Sequence, residues 1–413
     1  MGKEIELSTA ITDIAAGPFG SNLKVECFVP SGFPIIDGAN LKGYKVTDNI
    51  TKFVTEEKAR SLSRSIAHRG DVIVTISGTI GQIAYIPEDS LYDEYLCSQR
   101  QFRVSFDSSM VYVPYLVFYF HTFEGQNKIL SFANQTGVPA LSQPLKNFKK
   151  IRLCLPSLQE QRRIASIVET INDKIENNIK INDNLQQQLT AIYKSWYQDF
   201  SLVNDTELVE TAYGTIPKGW HYVLLGDLCQ SISVTHKFDK NALIFLNTGD
   251  VEDGRFLHSN LMAVKEMPGQ AKKTIAPGDI LYSEIRPINR HFAYVNFPSD
   301  NYVVSTKLMV IRAKNFDTRR LYHYLTSENV LNELQLQAES RSGTFPQIRF
   351  ENVSKLPILI ADEQTESEFV KILHTVFDQI EQLNRENKQL SELRDTLLPK
   401  LMSGEIDVSD IQL

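Results

Sequence analysis

Apolar residues recur at alternating intervals of four and three in two long and otherwise polar stretches of the chain. This spacing is the heptad seam of a coiled-coil helix, and each stretch sustains it for more than four heptads. The same offset of 205 residues separates Ile164 from Phe369 and Leu185 from Leu390, so the two seams are in step. The seam positions are Ile164, Val168, Ile171, Ile175, Asn178, Asn182, Leu185, Leu189, Ile192 and Trp196 in the first stretch, and Phe369, Leu373, Val376, Ile380, Leu383, Asn387, Leu390, Arg394, Leu397 and Leu401 in the second.

The pattern predicts two helices of about 40 residues, each roughly 60 Å long. Asn182 and Asn387 stand at equivalent seam positions, where one polar residue lowers stability but fixes the register. If the helices are antiparallel, we expect these two amides to lie close together and to set the register. The alternative is two ordinary amphipathic helices, each packed on its own domain, although such helices normally show a wider apolar face.

A long internal repeat precedes each helical stretch. Gly70-Asp71-Val72-Ile73-Val74 is echoed by Gly278-Asp279-Ile280-Leu281-Tyr282, and each reads as a turn followed by a strand. Ser98–Val104 matches Ser305–Ile311 in the same order along the chain. In both copies a helical segment follows, Val113–Phe123 in the first and Arg319–Leu325 in the second, and then a glycine-containing loop. The shared order indicates a duplication.

The repeat and the two seams together predict an order of lobe, long helix, lobe, long helix. Turn residues interrupt any periodicity at 204–215, which indicates a boundary there. We therefore predict a first lobe over 1–157, a first long helix over 158–203, a second lobe over 204–357, and a second long helix with a C-terminal tail over 358–413. Two helices joined through a compact lobe most simply run antiparallel, which would give approximate two-fold symmetry within one chain.

Composition narrows the classes of protein without changing this architecture. The 413 residues suffice for two or three domains, and no apolar run approaches the roughly 18 residues of a membrane span. The start of the chain does not resemble a secretory signal, and its four cysteines are scattered, so we expect small core thiols and a cytoplasmic location. A net charge of −7 argues against coating nucleic acid by bulk positive charge, but it allows a reader with its basic residues on one face.

Motifs of catalysis are missing from the sequence. It contains no GxxxxGK[ST] phosphate loop, no HExxH, no His/Cys cluster with metal-ligand spacing, and no glycine-rich dinucleotide or S-adenosylmethionine loop. The pattern favours a binding protein, with no catalytic residue and no metal site.

Basic, amide and hydroxyl side chains collect in corresponding loops of the two copies. Arg and Lys can neutralise phosphate or pair with guanine, Asn and Gln can pair with adenine, and Ser and Thr serve either role. The alternative for each of them is a solvated loop residue, but the clustering in both copies favours a DNA-binding face. The candidates are Ser21, Asn22, Lys24, Ser77, Thr79, Gln99, Arg100, Arg103, Gln135 and Thr136 in the first copy, and Lys237, Arg286, Arg290, Lys307, Arg341, Ser342, Thr344 and Arg349 in the second.

Four segments resemble the specificity (S) subunits of type I restriction–modification systems. They are Leu155–Ile164 (LPSLQEQRRI), Tyr193–Phe200 (YKSWYQDF), Ile216–Trp220 (IPKGW) and Leu393–Gly404 (LRDTLLPKLMSG), and the resemblance covers essentially the whole chain. The opening of the second helix departs from it, since Thr365–Glu368 stand where Arg162-Arg163 occur in the first.

The resemblance implies an α+β fold: two similar α/β target-recognition domains separated by two long antiparallel coiled-coil helices. It also implies a non-catalytic subunit that reads double-stranded DNA, and because the loops differ between the two copies we expect its target to be bipartite and asymmetric. Partners would be two methyltransferase (M) subunits and restriction/motor (R) subunits, and S-adenosylmethionine, ATP and magnesium would belong to those partners. The alternatives from other classes are a coiled-coil scaffold whose lobes bind proteins, and a stand-alone enzyme such as a nuclease.

Overall fold

The computed structural model describes residues 2–134, 137–203, 207–341 and 346–409, with the side chain of Arg341 also outside the described part. The chain forms two compact units. The first comprises residues 1–179 and 385–413, and the second comprises residues 180–384. No helix within the described ranges is both long and apolar enough to cross a membrane.

The first unit is built on two four-stranded sheets. Its strands are β1 (Lys3–Glu6), β2 (Ile11–Ala16), β3 (Phe33–Ile36), β4 (Phe53–Val54), β5 (Ile66–His68), β6 (Val72–Thr75), β7 (Ile83–Tyr85), β8 (Glu94–Cys97), β9 (Gln101–Phe106), β10 (Ala133–Asn134), β11 (Ala140–Leu141) and β12 (Arg152–Leu155). Its helices are α1 (Glu56–Ser61), α2 (Val113–Phe120), α3 (Phe123–Leu130), α4 (Pro144–Lys149) and the first half of the long helix α5 (Leu158–Tyr197). The sheet orders are β2-β9-β6-β7 and β4-β3-β8-β5, and β1 pairs with β12.

The second unit repeats this plan. Its strands are β13 (Leu208–Thr211), β14 (Gly214–Pro217), β15 (His221–Leu224), β16 (Cys229–Ile232), β17 (Ala242–Leu246), β18 (Val251–Glu252), β19 (Arg255–Phe256), β20 (Leu261–Ala263), β21 (Ala271–Lys273), β22 (Ile280–Ser283), β23 (Phe292–Tyr294), β24 (Tyr302–Ser305), β25 (Leu308–Ala313) and β26 (Pro357–Ile360). Its helices are α6 (Leu225–Leu228), α7 (Thr318–Leu325), α8 (Glu328–Arg341), α9 (Phe350–Ser354) and the first part of the long helix α10 (Glu363–Ser403). The orders β16-β25-β22-β23 and β20-β17-β24-β21 match the two sheets of the first unit strand for strand.

The central strands show why the repeat reads as unbroken apolar runs. Val72 and Val74 of β6 belong to the core that includes α2, whereas Ile73 belongs to the core shared with the other sheet. In the same way Ile280 and Tyr282 of β22 pack in the core with α7, and Leu281 packs in the opposite core. A strand buried on both faces has no polar positions to alternate with apolar ones.

The turn before each central strand confirms the predicted duplication. Gly70 and Gly278 both have positive φ values, +83° and +90°. The aspartate that follows each glycine accepts a backbone hydrogen bond three residues back, from His68 N to Asp71 (2.9 Å) and from Ala276 N to Asp279 (2.7 Å). The expected helical segments are present, although α2 ends at Phe120 and Phe123 already begins α3.

The two long helices confirm the seam, and their ends correct the predicted boundaries. All the seam positions are buried or half-buried. The first helix begins after Ser157, whose backbone N–H donates to Glu160 Oε2 at 3.0 Å while Glu160 N donates to its hydroxyl at 3.3 Å, the reciprocal pattern of a capping box. It ends at Tyr197, short of residue 203, and the range expected to open the second helix at 358 lies in β26.

Within each unit the two helices run antiparallel. In the first unit Asn178 donates to Asn387 Oδ1 (2.9 Å), and Arg394 donates to Asn172 (3.1 Å), so an earlier residue of α5 meets a later residue of α10. In the second unit Asn182 donates to Asn384 Oδ1 at 2.9 Å. The expected neighbours Asn182 and Asn387 do not bond to each other, because each amide has a different asparagine as its partner. The antiparallel register therefore pairs residues that do not hold equivalent positions in the two heptad patterns.

A buried polar side chain links each α/β region to its helices. In the first unit Gln161 accepts from Tyr112 N (2.8 Å) and donates to Met110 O (3.0 Å). In the second unit Arg320 of α7 is completely buried, donates to Glu366 Oε1 (2.9 Å), and lies over the rings of Tyr193, Tyr197 and Phe369, with ring centroids 4.5–5.2 Å from its guanidinium carbon. A cation among aromatic faces, paired with one carboxylate, is a specific attachment.

The cysteines only partly follow the expectation of small core residues. All four are free; Cys97 and Cys229 are buried and Cys27 is half-buried, but Cys154 is exposed.

Candidate nucleic-acid interface

The turn between β8 and β9, residues 98–100, is the centre of the candidate face in the first unit. Gln99 Nε2 donates to the backbone oxygens of Leu23 (2.6 Å) and Gly20 (3.4 Å). The backbone N–H of Gly17 donates to Gln101 O at 2.8 Å. These bonds hold the loop of residues 17–24 against the turn, and they carry Ser21, Asn22 and Lys24 with it.

Residue 17 must be a glycine because the loop 17–24 lies so close to the turn 98–100. A Cβ built at Gly17 would lie 1.8 Å from the backbone oxygen of Ser98, a distance that no side chain can occupy. The loop can therefore approach the turn only because residue 17 has no side chain.

Two further loops complete this face: the loop 76–80 meets the same turn, and the loop 137–140 is bonded to the loop 76–80. Ile76 N donates to Arg100 O (2.6 Å), and Gly78 N donates to Pro139 O (2.9 Å). Ser77 pairs with Ala140 in an isolated antiparallel bridge. The structure thus brings four segments together that are widely separated in sequence: the loops 17–24, 76–80 and 137–140, and the turn 98–100.

The side chains of these segments differ in how free they are to bind. Ser21, Asn22, Lys24, Thr79, Gln99 and Arg100 are exposed, and Ser77 is half-buried. Gln99 uses its amide N–H groups to position the loop, so those N–H groups are not free to read a base. Arg100 is exposed, and none of the ion pairs found within the described ranges involves it, so its guanidinium is available to a partner. Gln135 and Thr136 lie outside the described residues.

Arg103 must be removed from the predicted face. It lies in β9 with 7% of its surface exposed, and it donates to Asp13 at 2.6 Å. Its hydrogen bond holds the pKa of Asp13 below its ordinary value. Arg103 therefore stabilises the sheet.

The second unit assembles a matching face around the turn 305–307. Lys307 N donates to Ser305 Oγ (3.2 Å), as Arg100 N does to Ser98 Oγ (3.5 Å). Glu284 N donates to Lys307 O at 3.0 Å, and Ile348 N donates to Glu284 O at 2.9 Å. The turn therefore meets the loop 284–290 and the segment 346–349, which carry Arg286, Arg290 and Arg349.

Two of the predicted cations are already paired within the unit. Arg290 donates to Asp253 (3.0 Å) and also to Glu328. Burial alone would lower the pKa of Arg290, but these two carboxylates raise it. Lys307 donates to Gln347 at 3.4 Å and lies 3.7 Å from Glu284 Oε2. Both side chains position loops, which weakens the prediction that they bind DNA directly.

The remaining cations of this face are exposed. Arg286 and Arg290 both adopt left-handed backbone conformations, with φ values of 43° and 57°, on either side of the short helical turn Pro287–Asn289. Such backbone costs about 1–3 kcal/mol per residue and concentrates at ligand-binding loops. Lys237, Arg286 and Arg349 are exposed to solvent. The side chain of Arg341, and Ser342 and Thr344, lie outside the described residues.

Two lysines at this face are not among the residues predicted from the sequence. Lys273 donates to the backbone oxygens of Thr306 (3.0 Å) and Leu308 (2.8 Å), and burial lowers its pKa. Its exposed neighbour Lys272 accepts a backbone hydrogen bond from His236 (2.7 Å), which brings the loop of Lys237 to the same place. Two consecutive lysines were visible in the sequence, but β21 corresponds to β5, which has no lysine to match.

A protein-family comparison decides the classification. The family model described as "Type I restriction modification DNA specificity domain" matches residues 29–187 and 217–392, which together make up most of the chain. The chain belongs to this family. The two matched ranges correspond to the two copies of the repeat, and each extends into the long helix that follows.

Individual relatives agree with the family. The chain is 44% identical over 183 residues to the HindI specificity subunit of Haemophilus influenzae, a match that covers 43% of this chain and only 39% of that protein. It is 22% identical over 415 residues to the MjaIX specificity subunit of Methanocaldococcus jannaschii, covering 97% and 93% of the two chains.

A solved structure agrees with the fold. The S subunit of a type I restriction–modification system from M. genitalium superposes with a TM-score of 0.58 at 14% sequence identity, covering 97% of this chain and 96% of that one. The expected fold class, two similar α/β domains with a pair of long antiparallel helices, is confirmed.

Proposed function

We propose that this chain is the DNA-reading subunit of a type I restriction–modification system and has no catalytic role of its own. The observation that carries the proposal is the repeated face: in each unit the turn before β9 or β25 gathers several loops and presents cations and hydrogen-bonding groups to solvent. Cations position a protein on the phosphate backbone, and amides, hydroxyls and guanidinium groups read base edges.

The target would be bipartite and asymmetric. The two faces occupy the same place in the repeated fold but differ in side chains, for example Gln99-Arg100 in one turn and Thr306-Lys307 in the other. The first face offers Asn22, Thr79 and Arg100, and the second offers Lys237, Arg286 and Arg349. Different donors and acceptors select different base pairs, so the two half-sites would differ in sequence.

The chain would act as an adaptor for larger partners. Each domain would bind one half-site, and the helices would fix the length of the spacer between them. Two methyltransferase subunits would dock on this chain and a restriction/motor subunit would join them. S-adenosylmethionine, ATP and magnesium would be bound by those partners.

Methylome sequencing tests the proposal. The chain and its methyltransferase partner are expressed in a host that lacks other adenine methylation, and the methylated positions are mapped genome-wide. We expect one motif of two unlike halves separated by a fixed spacer, which disappears when this chain is omitted. Methylation that does not depend on the chain, or a palindromic motif, would contradict the proposal.

Two simpler assays separate the alternatives. A gel shift on DNA carrying the motif, with the methyltransferase partner present, should show specific binding, whereas a scaffold that binds only proteins would give none. Incubation of the purified chain with DNA and magnesium should leave the DNA intact, whereas a stand-alone nuclease would cleave it.

A further inference from the structure

Phe19 is a large apolar side chain that is exposed to solvent at the candidate face of the first unit. Its exposed fraction is 82%. It begins a tight turn in which Asn22 N donates to Phe19 O at 2.8 Å. The polar candidates Ser21, Asn22 and Lys24 follow directly, so the ring shares their loop.

The loop cannot easily withdraw this ring from solvent. After Phe19 in the chain, Gln99 bonds to the backbone of Gly20 and Leu23. Before it, Gly17 N donates to Gln101 O, directly after the turn 98–100. A Cβ at Gly17 would overlap Ser98 O, so the backbone there is already at its closest approach. Phe19 therefore lies on a turn that hydrogen bonds hold in place on both sides.

A second exposed apolar residue lies in the loop 137–140 of the same face. Val138 is 71% exposed and precedes Pro139, whose backbone oxygen accepts from Gly78. The loop of Phe19 is thus bonded to the turn that carries Arg100, and the loop of Val138 is bonded to the loop 76–80, which meets the same turn at Arg100 O. Single exposed apolar residues are common on protein surfaces. Two of them in loops that are joined around one cationic turn fit an occupant that is both anionic and partly apolar.

We infer that Phe19 contacts the 5-methyl group of a thymine in the major groove, beside the base or phosphate bound by Arg100. DNA fits both chemistries, since Lys24 and Arg100 meet its phosphates or guanines and the thymine methyl group is the apolar feature of the major-groove edge. This inference rests on the proposed function and adds Phe19 to its specificity-determining residues.

Thymine-to-deoxyuridine substitution tests the contact, because it removes the methyl group and leaves the hydrogen-bonding edge intact. The holocomplex with its methyltransferase is titrated with duplexes that carry the methylome-defined motif, each with one thymine replaced. We expect the wild-type complex to lose about fourfold in affinity at one thymine, comparable with the removal of one buried CH2 group. The Phe19→Ala complex should bind the normal duplex about fourfold more weakly and lose nothing further at that thymine.

Phe123→Ala is the matched control. Phe123 is 85% exposed, but it lies on α3 and on none of the four interface segments, so its removal should leave both affinity and the deoxyuridine profile unchanged. Equal thermal unfolding of the three complexes would show that the fold is intact. The inference is overturned if the Phe19→Ala complex keeps the full wild-type loss at every thymine, or if the half-site read by the first domain contains no thymine. If the wild-type complex shows no sequence-specific binding at all, the proposed function itself fails.

Discussion

Asn182 of α5 donates a hydrogen bond to the side-chain oxygen of Asn384 of α10 across 2.9 Å. The Asn182 side-chain oxygen, Oδ1, is buried and has no hydrogen-bond partner within the described part of the chain. A buried polar atom without a partner costs about 1–3 kcal/mol. A seam amide of this kind lowers the stability of the helix pair but specifies a unique register.

Asn182→Leu should therefore stabilise the protein and loosen the register. We expect the free energy of unfolding to rise by about 1 kcal/mol and the melting temperature by about 2–4 °C. The functional readout is methylation of targets whose spacer is one base pair longer or shorter. Asn184→Leu is the control, because Asn184 is exposed on the same helix and bonds to Gln188. Unchanged spacer discrimination in Asn182→Leu would show that this amide does not set the register.

Replacement of Arg320 should separate packing from charge. Arg320→Ala removes the buried guanidinium and leaves a cavity among three aromatic rings, so we expect a loss of about 3–5 kcal/mol. Arg320→Met should lose less, because it refills the space and Glu366 keeps its bond from Tyr197 (2.7 Å). Denaturant unfolding of both variants gives the comparison. Equal losses would mean that the ion pair, and not the packing, holds α7 to the helices.

Gly17→Ala should detach the loop 17–24 from the turn 98–100. We expect a loss of about 1–3 kcal/mol in stability, as for other overpacked sites, together with relaxed sequence preference in one half of the methylated motif only. Gly43→Ala is the control, since a Cβ at Gly43 would meet nothing within 4 Å. Sequence preference unchanged from wild type would remove this loop from the interface.

Arg100→Ala and Lys307→Ala should differ although the residues are equivalent in the repeat. Arg100 forms no ion pair in the described ranges, so its loss should cost about 1–3 kcal/mol of binding if it reads a base. A phosphate contact would instead weaken all sequences alike and reduce the salt dependence. Lys307 is tied to Gln347 and Glu284, so Lys307→Ala should change binding less. Salt titrations of both variants on specific and non-specific DNA check this. The reverse order of effects would contradict the assignment of Lys307 as a positioning residue.

Exchange of residues 1–150 for the corresponding domain of another specificity subunit should alter only one half of the methylated motif. The basis is that each unit carries its own face on its own pair of sheets. Methylome sequencing of the chimera gives the result. A change in both halves would contradict independent reading by two domains.

The periodic features of this protein could be predicted from the sequence because periodicity is a local property. The two heptad seams, their 205-residue offset and the duplicated Gly-Asp turns all appear in the structure at the expected residues. Heptad spacing reports which side of a helix is apolar, whichever partner covers it. The same information does not define helix ends, so residues 198–203 and 358–362 were wrongly included in the long helices.

The register and the candidate face depended on the tertiary structure. An antiparallel seam pairs residues according to where the two helices meet, and this placed Asn384, not Asn387, opposite Asn182. Lys307, Arg290 and Gln99 looked as available in the sequence as Arg100, yet partners from distant segments occupy them. Lys273 and the loop of Phe19 reach the face through hydrogen bonds between side chains and the backbone of segments far away in the chain. Whether a polar or apolar side chain is free depends on what the fold brings next to it, and local sequence does not contain that information.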